Sequence, residues 1–75
     1  MTLKQAKNLT PGTILYHVTT RNADGTAQRW KVNGKVQTWK RSPERVRIPV
    51  KHGLYSYDQI TAEYLDQVEL FDPTA

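Results

Sequence analysis

The chain has 75 residues, no cysteine and a formal net charge of +4 at pH 7, with a sequence pI near 9.6. This length allows one small domain, and the lack of cysteine excludes disulfides and thiolate metal sites, as expected of a reducing cytoplasm. No apolar run approaches the ~20 residues of a membrane span and Met1 to Asn8 is polar, so we expect a cytoplasmic protein without a membrane contact.

The N-terminal residues 1–9 predict a tail or a single helical turn. Leu3, Ala6 and Leu9 recur there at helical spacing. A turn signal, Thr10-Pro11-Gly12, follows. We therefore expect one domain over residues 10–72, with residues 73–75 as a short tail.

The next segment, Thr13 to Thr19, is rich in residues that favour strands. Alternation along a strand puts Ile14, Tyr16 and Val18 on one side, which we predict to be the core side. Leu15 and His17 fall on the other side. Residues 20–26, TRNADGT, contain several turn formers and predict a loop between two strands.

A basic stretch from Arg29 to Lys51 holds both tryptophans and eight of the eleven Lys and Arg residues, against one acid. Period-two alternation predicts that one face of this stretch is apolar and the other basic. The predicted apolar face carries Trp30, Val32, Gly34, Val36 and Thr38. The predicted basic face carries Arg29, Lys31, Lys35, Trp39 and Arg41.

Asn33-Gly34 lies inside this pattern and is the strongest short signal for a two-residue hairpin. A hairpin there would bring an apolar and a basic residue together on each face. Because the alternation continues through Gly34, we favour one long strand that is kinked at the glycine. The hairpin remains the alternative.

Ser42-Pro43 predicts a turn over residues 41–44, after which the alternation resumes from Arg45 to Lys51. Val46, Ile48 and Val50 then share the core side, and Arg45, Arg47 and Lys51 share the other. Pro49 has no N–H to donate, so its strand should be an edge strand or its nitrogen should face away from a neighbour.

After His52-Gly53, residues 54–57 return to an extended pattern, and apolar residues then recur at helical spacing. We predict a short helix or 3₁₀ turn near residues 61–66 and a last strand at residues 67–71. The fold class is therefore mainly β. Its architecture is predicted to be a small, partly open SH3-like β-barrel of about five strands with one helical turn before the last strand.

The domain is predicted to have one core of apolar side chains. This core consists of Ile14, Tyr16, Trp30, Val32, Val36, Val46, Ile48, Leu65 and Val68.

Four segments, LTPGTILYHVT, NADGT, KVNGKVQTWKR and PVKHGLYSY, together resemble a group of small basic proteins of bacteriophages and prophages. The resemblance runs from Leu9 to Leu65, and TWKR and KHGLY are its most distinctive parts. It implies a phage-type origin and, with it, the cytoplasm of a bacterial host. Those proteins are generally uncharacterised, so the resemblance implies no function.

No constellation for catalysis, metal binding or a cofactor is present in the sequence. His17 and His52 are the only histidines, and they lack zinc-type spacing or a paired nucleophile. The glycines do not form a phosphate-binding loop. We expect a protein that is not an enzyme and that needs neither a metal nor a cofactor.

Basic side chains with an interleaved aromatic ring are typical of nucleic-acid binding, since cations neutralise phosphates and a ring stacks on a base. DNA and RNA fit this pattern equally well. The alternative is a phage regulator or inhibitor that docks, as a monomer or weak dimer, on an acidic surface of a bacterial host protein. The residues predicted to bind either partner are Arg29, Lys31, Lys35, Trp39, Lys40, Arg41, Arg45, Arg47, Lys51, His52 and Tyr55.

Overall fold

The computed structural model describes residues 1–75, and its framework is one open sheet of six antiparallel strands. A short helix precedes the sheet and a 3₁₀ helix precedes its last strand. In chain order the elements are α1 (Leu3–Lys7), β1 (Ile14–Arg21), β2 (Ala27–Val32), β3 (Gln37–Trp39), β4 (Ser42–His52), β5 (Ser56–Thr61), the 3₁₀ helix (Ala62–Gln67) and β6 (Val68–Glu69). The prediction of a mainly β protein is confirmed.

The predicted N-terminal turn is a helix held by a capping box. Thr2 Oγ1 accepts from the Gln5 N–H, and Gln5 Oε1 accepts from the Thr2 N–H. Ala6 is fully buried, and the Met1 amine donates to the carbonyl oxygens of Leu65 and Val68. The N-terminus is thereby fixed against the C-terminal part of the domain.

Strand β4 is the longest strand and the only one that pairs with three others. One edge pairs with β3 and then with β2, and the other pairs with β5 along its length. Strand β1 continues the sheet beyond β2, and β6 pairs with β1. β5 and β6 form no pair with each other, so the sheet stays open between them.

The Asn33-Gly34 segment is not a hairpin turn. Strands β2 and β3 both run antiparallel to β4, and residues 33–36 only interrupt their common path. The Asn33 N–H still donates to Pro49 O at 3.0 Å. A Cβ on Gly34 would lie 3.1 Å from Pro49 Cγ, so glycine permits this close approach. The long strand predicted here is therefore broken into two, which raises the strand count to six.

The predicted break at Ser42-Pro43 is wrong. The two-residue turn lies earlier, at Lys40-Arg41, and β4 begins at Ser42. Proline is tolerated near the first residue of a strand, and here the ladder is irregular, since Thr38 pairs with Val46 while Trp39 pairs with Ser42.

Pro49 lies in the middle of this central strand. Pro49 pairs with Gln59 of β5. On the opposite edge of β4, its carbonyl oxygen accepts from the N–H of Asn33, the first residue after β2. An antiparallel residue directs its nitrogen and its carbonyl to the same neighbour. The missing N–H therefore faces the interruption between β2 and β3, as one of the two predicted placements required.

The core lies on one face of the sheet, between the strands and the two short helices, α1 and the 3₁₀ helix. Its nine buried residues are Ala6, Leu15, Val32, Val46, Ile48, Val50, Ile60, Leu65 and Val68. Trp30 and Val36 are half-buried against this cluster, as predicted members of the core. Ile14 and Tyr16 are outside it, so the predicted facing of β1 is wrong: Leu15 is the residue that points inward.

The C-terminal prediction is confirmed for the 3₁₀ helix, which covers residues 62–67. The last strand is shorter than predicted, because only Val68 and Glu69 pair with β1. Leu70 and Phe71 are exposed beyond it. No helix of the structure has the length and apolar character needed to cross a membrane.

Candidate nucleic-acid interface

The register of the sheet brings three basic side chains together on its outer face. Lys31 pairs directly with Lys51, and Arg29 lies two residues before Lys31 on β2. These positions alternate with the buried Val32 and Val50, which fixes their direction away from the core. We call Arg29, Lys31 and Lys51 the lysine face.

The lysine face has no internal counter-charge. Like charges directly opposite each other on neighbouring strands destabilise a sheet. The only ion pair of the structure joins the Met1 amine to Glu69 at 3.2 Å, and no Lys or Arg side chain takes part in one. The positive charge of the lysine face therefore remains available to an external anion.

Asp24 and Asp72 are the two carboxylates whose pKa the charge of Arg29 affects, but they form hydrogen bonds with threonines and no ion pair with Arg29. Thr26 donates its hydroxyl to Asp24 Oδ1 at 2.6 Å and its backbone N–H at 3.0 Å, and these bonds lower the pKa of Asp24. Thr74 lowers the pKa of Asp72 in the same way. Arg29 makes only a minor contribution to either shift.

An aromatic residue that is not in the predicted set of binding residues borders the lysine face. Tyr57 pairs with Lys51 across β4 and β5 and is 66% exposed. Tyr16, which pairs with Arg29 on the other side, is half-buried. The alternation around Tyr57 gives its parity, but its position beside Lys51 follows only from the hairpin register, which the sequence did not define.

Trp39, Arg45 and Arg47 form a second group, which we call the Trp39 cluster. The Arg45 guanidinium carbon lies 4.1 Å from the centroid of the Trp39 ring, and that of Arg47 lies 5.8 Å away. Both are cation–π contacts. Arg45 covers part of the ring, so a nucleic-acid base would need a different part of the Trp39 surface.

The Trp39 cluster borders a cavity of about 220 Å³ that Thr61, Ala62 and Glu63 close from the other side. Arg47 Nε is buried there without a hydrogen-bond partner. The backbone N–H of Glu63 and the Thr61 hydroxyl lower the pKa of Glu63 by hydrogen bonding. An ionised Glu63 at this wall opposes the entry of an anion.

The remaining predicted residues do not join these groups into one patch. Lys35 is exposed between β2 and β3, and Lys40 and Arg41 form the β3–β4 turn. Tyr55 lies in the β4–β5 turn, at the other end of an eleven-residue strand. At roughly 3.3 Å per residue this separates Tyr55 from Arg41 by about 33 Å.

His52 has a different place from the one predicted, since it shares parity with the core residues of β4. Its Nδ1 lies 2.8 Å from the Arg29 carbonyl oxygen, and its ring centroid is 5.5 Å from that of Trp30. His52 thus links the end of β4 to the middle of β2. His52 also borders a cavity of about 350 Å³ together with Arg29, Lys31 and Lys51, so it lies at the margin of the lysine face.

The β4–β5 turn presents apolar side chains to solvent. Leu54 is 75% exposed and Tyr55 is 89% exposed. We call this pair the hairpin tip. Burying these two side chains on a partner would recover hydrophobic free energy.

His17 lies on the inner face, where its ring centroid is 6.4 Å from that of Trp30. Its Nδ1 is buried without a hydrogen-bond partner. No group of three or more His, Cys, Asp and Glu side chains is arranged to hold a metal ion.

Comparison with known proteins adds no family to this description. No family model, no curated protein and no solved structure matches the chain.

Proposed function

We propose that this protein is a non-catalytic binding module that binds nucleic acid through the lysine face. The observation that carries the proposal is the direct pairing of Lys31 with Lys51 on an exposed sheet surface. Holding two like charges together costs free energy, and a bound polyanion would offset that cost. Arg29 adds a third cation to the same surface.

The proposed contacts are mainly to phosphates, because lysine and arginine side chains on a sheet surface reach a backbone more readily than base edges in a groove. Phosphate contacts position a nucleic acid but carry little sequence information. Tyr57 beside Lys51 and Trp39 beside Arg47 offer rings for stacking. Such rings favour single strands, whose bases are free to stack.

The strand order also supports an SH3-like, partly open barrel as the architecture of this module. Strand β1 pairs with both β2 and β6, the strands between form a meander, and the 3₁₀ helix precedes the last strand. In this interpretation β2 and β3 are one interrupted strand. The sequence segments that resemble phage proteins support an origin in a phage or prophage and action in the host cytoplasm.

The proposal is tested by measuring the affinity for a labelled single-stranded oligonucleotide by fluorescence anisotropy at one low salt concentration. We expect Lys31→Ala and Lys51→Ala each to lose about 1 kcal/mol of binding free energy, because each removes a phosphate contact. Lys4→Ala is the matched control, since Lys4 is an exposed lysine on α1. Equal losses in all three variants would contradict a specific role for the lysine face.

A second candidate function, docking on a bacterial host protein, is favoured by the hairpin tip. Leu54 and Tyr55 are more exposed than any other large apolar side chains. A phage-derived regulator or inhibitor could insert them into a partner whose acidic rim meets Lys51. Capture of one defined host protein after nuclease treatment, lost in Leu54→Ser and Tyr55→Ser but kept in Lys31→Ala, would support this function over nucleic-acid binding.

A further inference from the structure

A cavity of about 260 Å³ opens on the inner side of the sheet, away from the lysine face. Trp30, Val50, Ile60 and Val68 contribute apolar and aromatic walls, and Tyr64 of the 3₁₀ helix borders it. Its volume is just below the roughly 300–1,000 Å³ of pockets that hold whole small molecules. The cavity therefore suits a group of side-chain size.

The charged lining of this cavity is acidic. Asp58 is the only carboxylate that lines it, and no lysine or arginine does. Asp58 Oδ1 accepts from the Gln59 N–H at 2.7 Å, while the second carboxylate oxygen has no partner within the protein. That oxygen is available to a ligand that donates a hydrogen bond.

The cavity also has two aromatic rings that can contact a cation. Trp30 and Tyr64 both border the cavity, and Tyr64 is 51% exposed. Aromatic faces attract cations, and a carboxylate beside them can accept a charge-assisted hydrogen bond from the same group. A planar guanidinium satisfies both requirements, since it stacks on rings and donates several hydrogen bonds in one plane.

The free edge of β5, beside the cavity, is suited to bind a peptide that carries such a group. Strand β5 pairs with β4 on one side only, and Asp58, Gln59 and Ile60 of β5 line the cavity. An unpaired strand edge offers backbone groups to an extended peptide. A peptide that lies along this edge would bring its side chains to the mouth of the cavity.

We propose that this cavity binds the arginine side chain of an extended segment of a partner protein. The guanidinium would lie between Trp30 and Tyr64 and donate to Asp58. The site is separate from the lysine face, and the inference does not depend on nucleic-acid binding.

The test uses NMR spectroscopy of the whole chain, titrated with a short capped peptide that contains one arginine between glycines. A matched peptide with citrulline, which keeps the shape but has no charge, is the ligand control. We expect saturable shifts at the Trp30 indole and at residues 58–60 with the arginine peptide. We also expect Asp58→Asn to weaken binding by about three- to tenfold, the range of a partly exposed cation contact.

Asp66→Asn is the protein control, because Asp66 is an exposed acid on the 3₁₀ helix that does not line the cavity. It makes the same change in net charge and should leave the affinity unchanged. Tyr64→Ala should also weaken binding without unfolding the domain, since Tyr64 is outside the core. Equal binding of the citrulline peptide, equal losses in Asp58→Asn and Asp66→Asn, or the absence of saturable shifts at millimolar peptide would each overturn the proposal.

Discussion

At the scale of single residues, β1 shows that the alternation of side chains along a strand does not by itself predict which side faces the core. Both sides of this strand carry apolar side chains, Ile14 and Tyr16 on one and Leu15 on the other, so the pattern does not select the inner side. The structure buries Leu15 completely and leaves Ile14 half-buried. Pairing with β2 determines which side of β1 faces inward, because Leu15 lies opposite Trp30, which packs against the core.

Substitution of the two neighbours tests this facing. Leu15→Ala should lower the free energy of unfolding by about 2–5 kcal/mol, because it removes buried methyl groups and leaves a cavity. Ile14→Ala should cost less, since Ile14 is outside the core. Urea unfolding followed by circular dichroism measures both values. A larger loss for Ile14→Ala would mean that β1 faces the other way.

At the scale of elements, the sequence predicts best where apolar and polar residues alternate strictly. Val46, Ile48 and Val50 are all buried as predicted, because the intervening positions of β4 are basic or proline. The ends of elements were predicted less well. Ser42-Pro43 reads locally as a turn, yet the pairing of β3 with β4 extends the strand through it.

The turn between β4 and β5 depends on one backbone conformation. Gly53 has φ of +72°, in the left-handed region, and no heavy atom lies within 4 Å of a Cβ built there. Gly53→Ala should therefore destabilise the protein by about 1–2 kcal/mol through backbone strain alone. Gly53→Asn is the matched control and should cost less, because asparagine tolerates this region. Thermal unfolding of both variants checks the order, and an equally stable alanine variant would contradict it.

At the scale of the whole molecule, charge is divided between two regions. The basic residues concentrate between Arg29 and Lys51, and from His52 onward there are five acids and no lysine or arginine. The sequence shows this division directly, but not that Lys31 and Lys51 are neighbours. That adjacency joins residues twenty positions apart and follows from sheet register, which depends on the interruption at residues 33–36.

The sequence predicted which residue types make up the candidate site, but it predicted their arrangement only in part. The structure separates most of the predicted set into the lysine face, the Trp39 cluster and the two hairpin turns, while Lys35 lies apart in the interruption between β2 and β3. It also adds Tyr57, and it turns His52 inward toward Trp30. The acidic cavity on the inner face could not be predicted, because Trp30, Asp58 and Tyr64 meet there only through folding.

If the lysine face binds a polyanion through phosphate contacts, the affinity must fall as salt is added. The measurement is the affinity for a single-stranded oligonucleotide at increasing salt, compared between the unmodified chain and a variant with both Lys31→Ala and Lys51→Ala. Three phosphate contacts predict that log affinity falls against log salt with a slope near −2, at about −0.7 per contact, and that the variant has a slope closer to zero by more than one. Binding that ignores salt, or an equally steep slope in the variant, would contradict the claim.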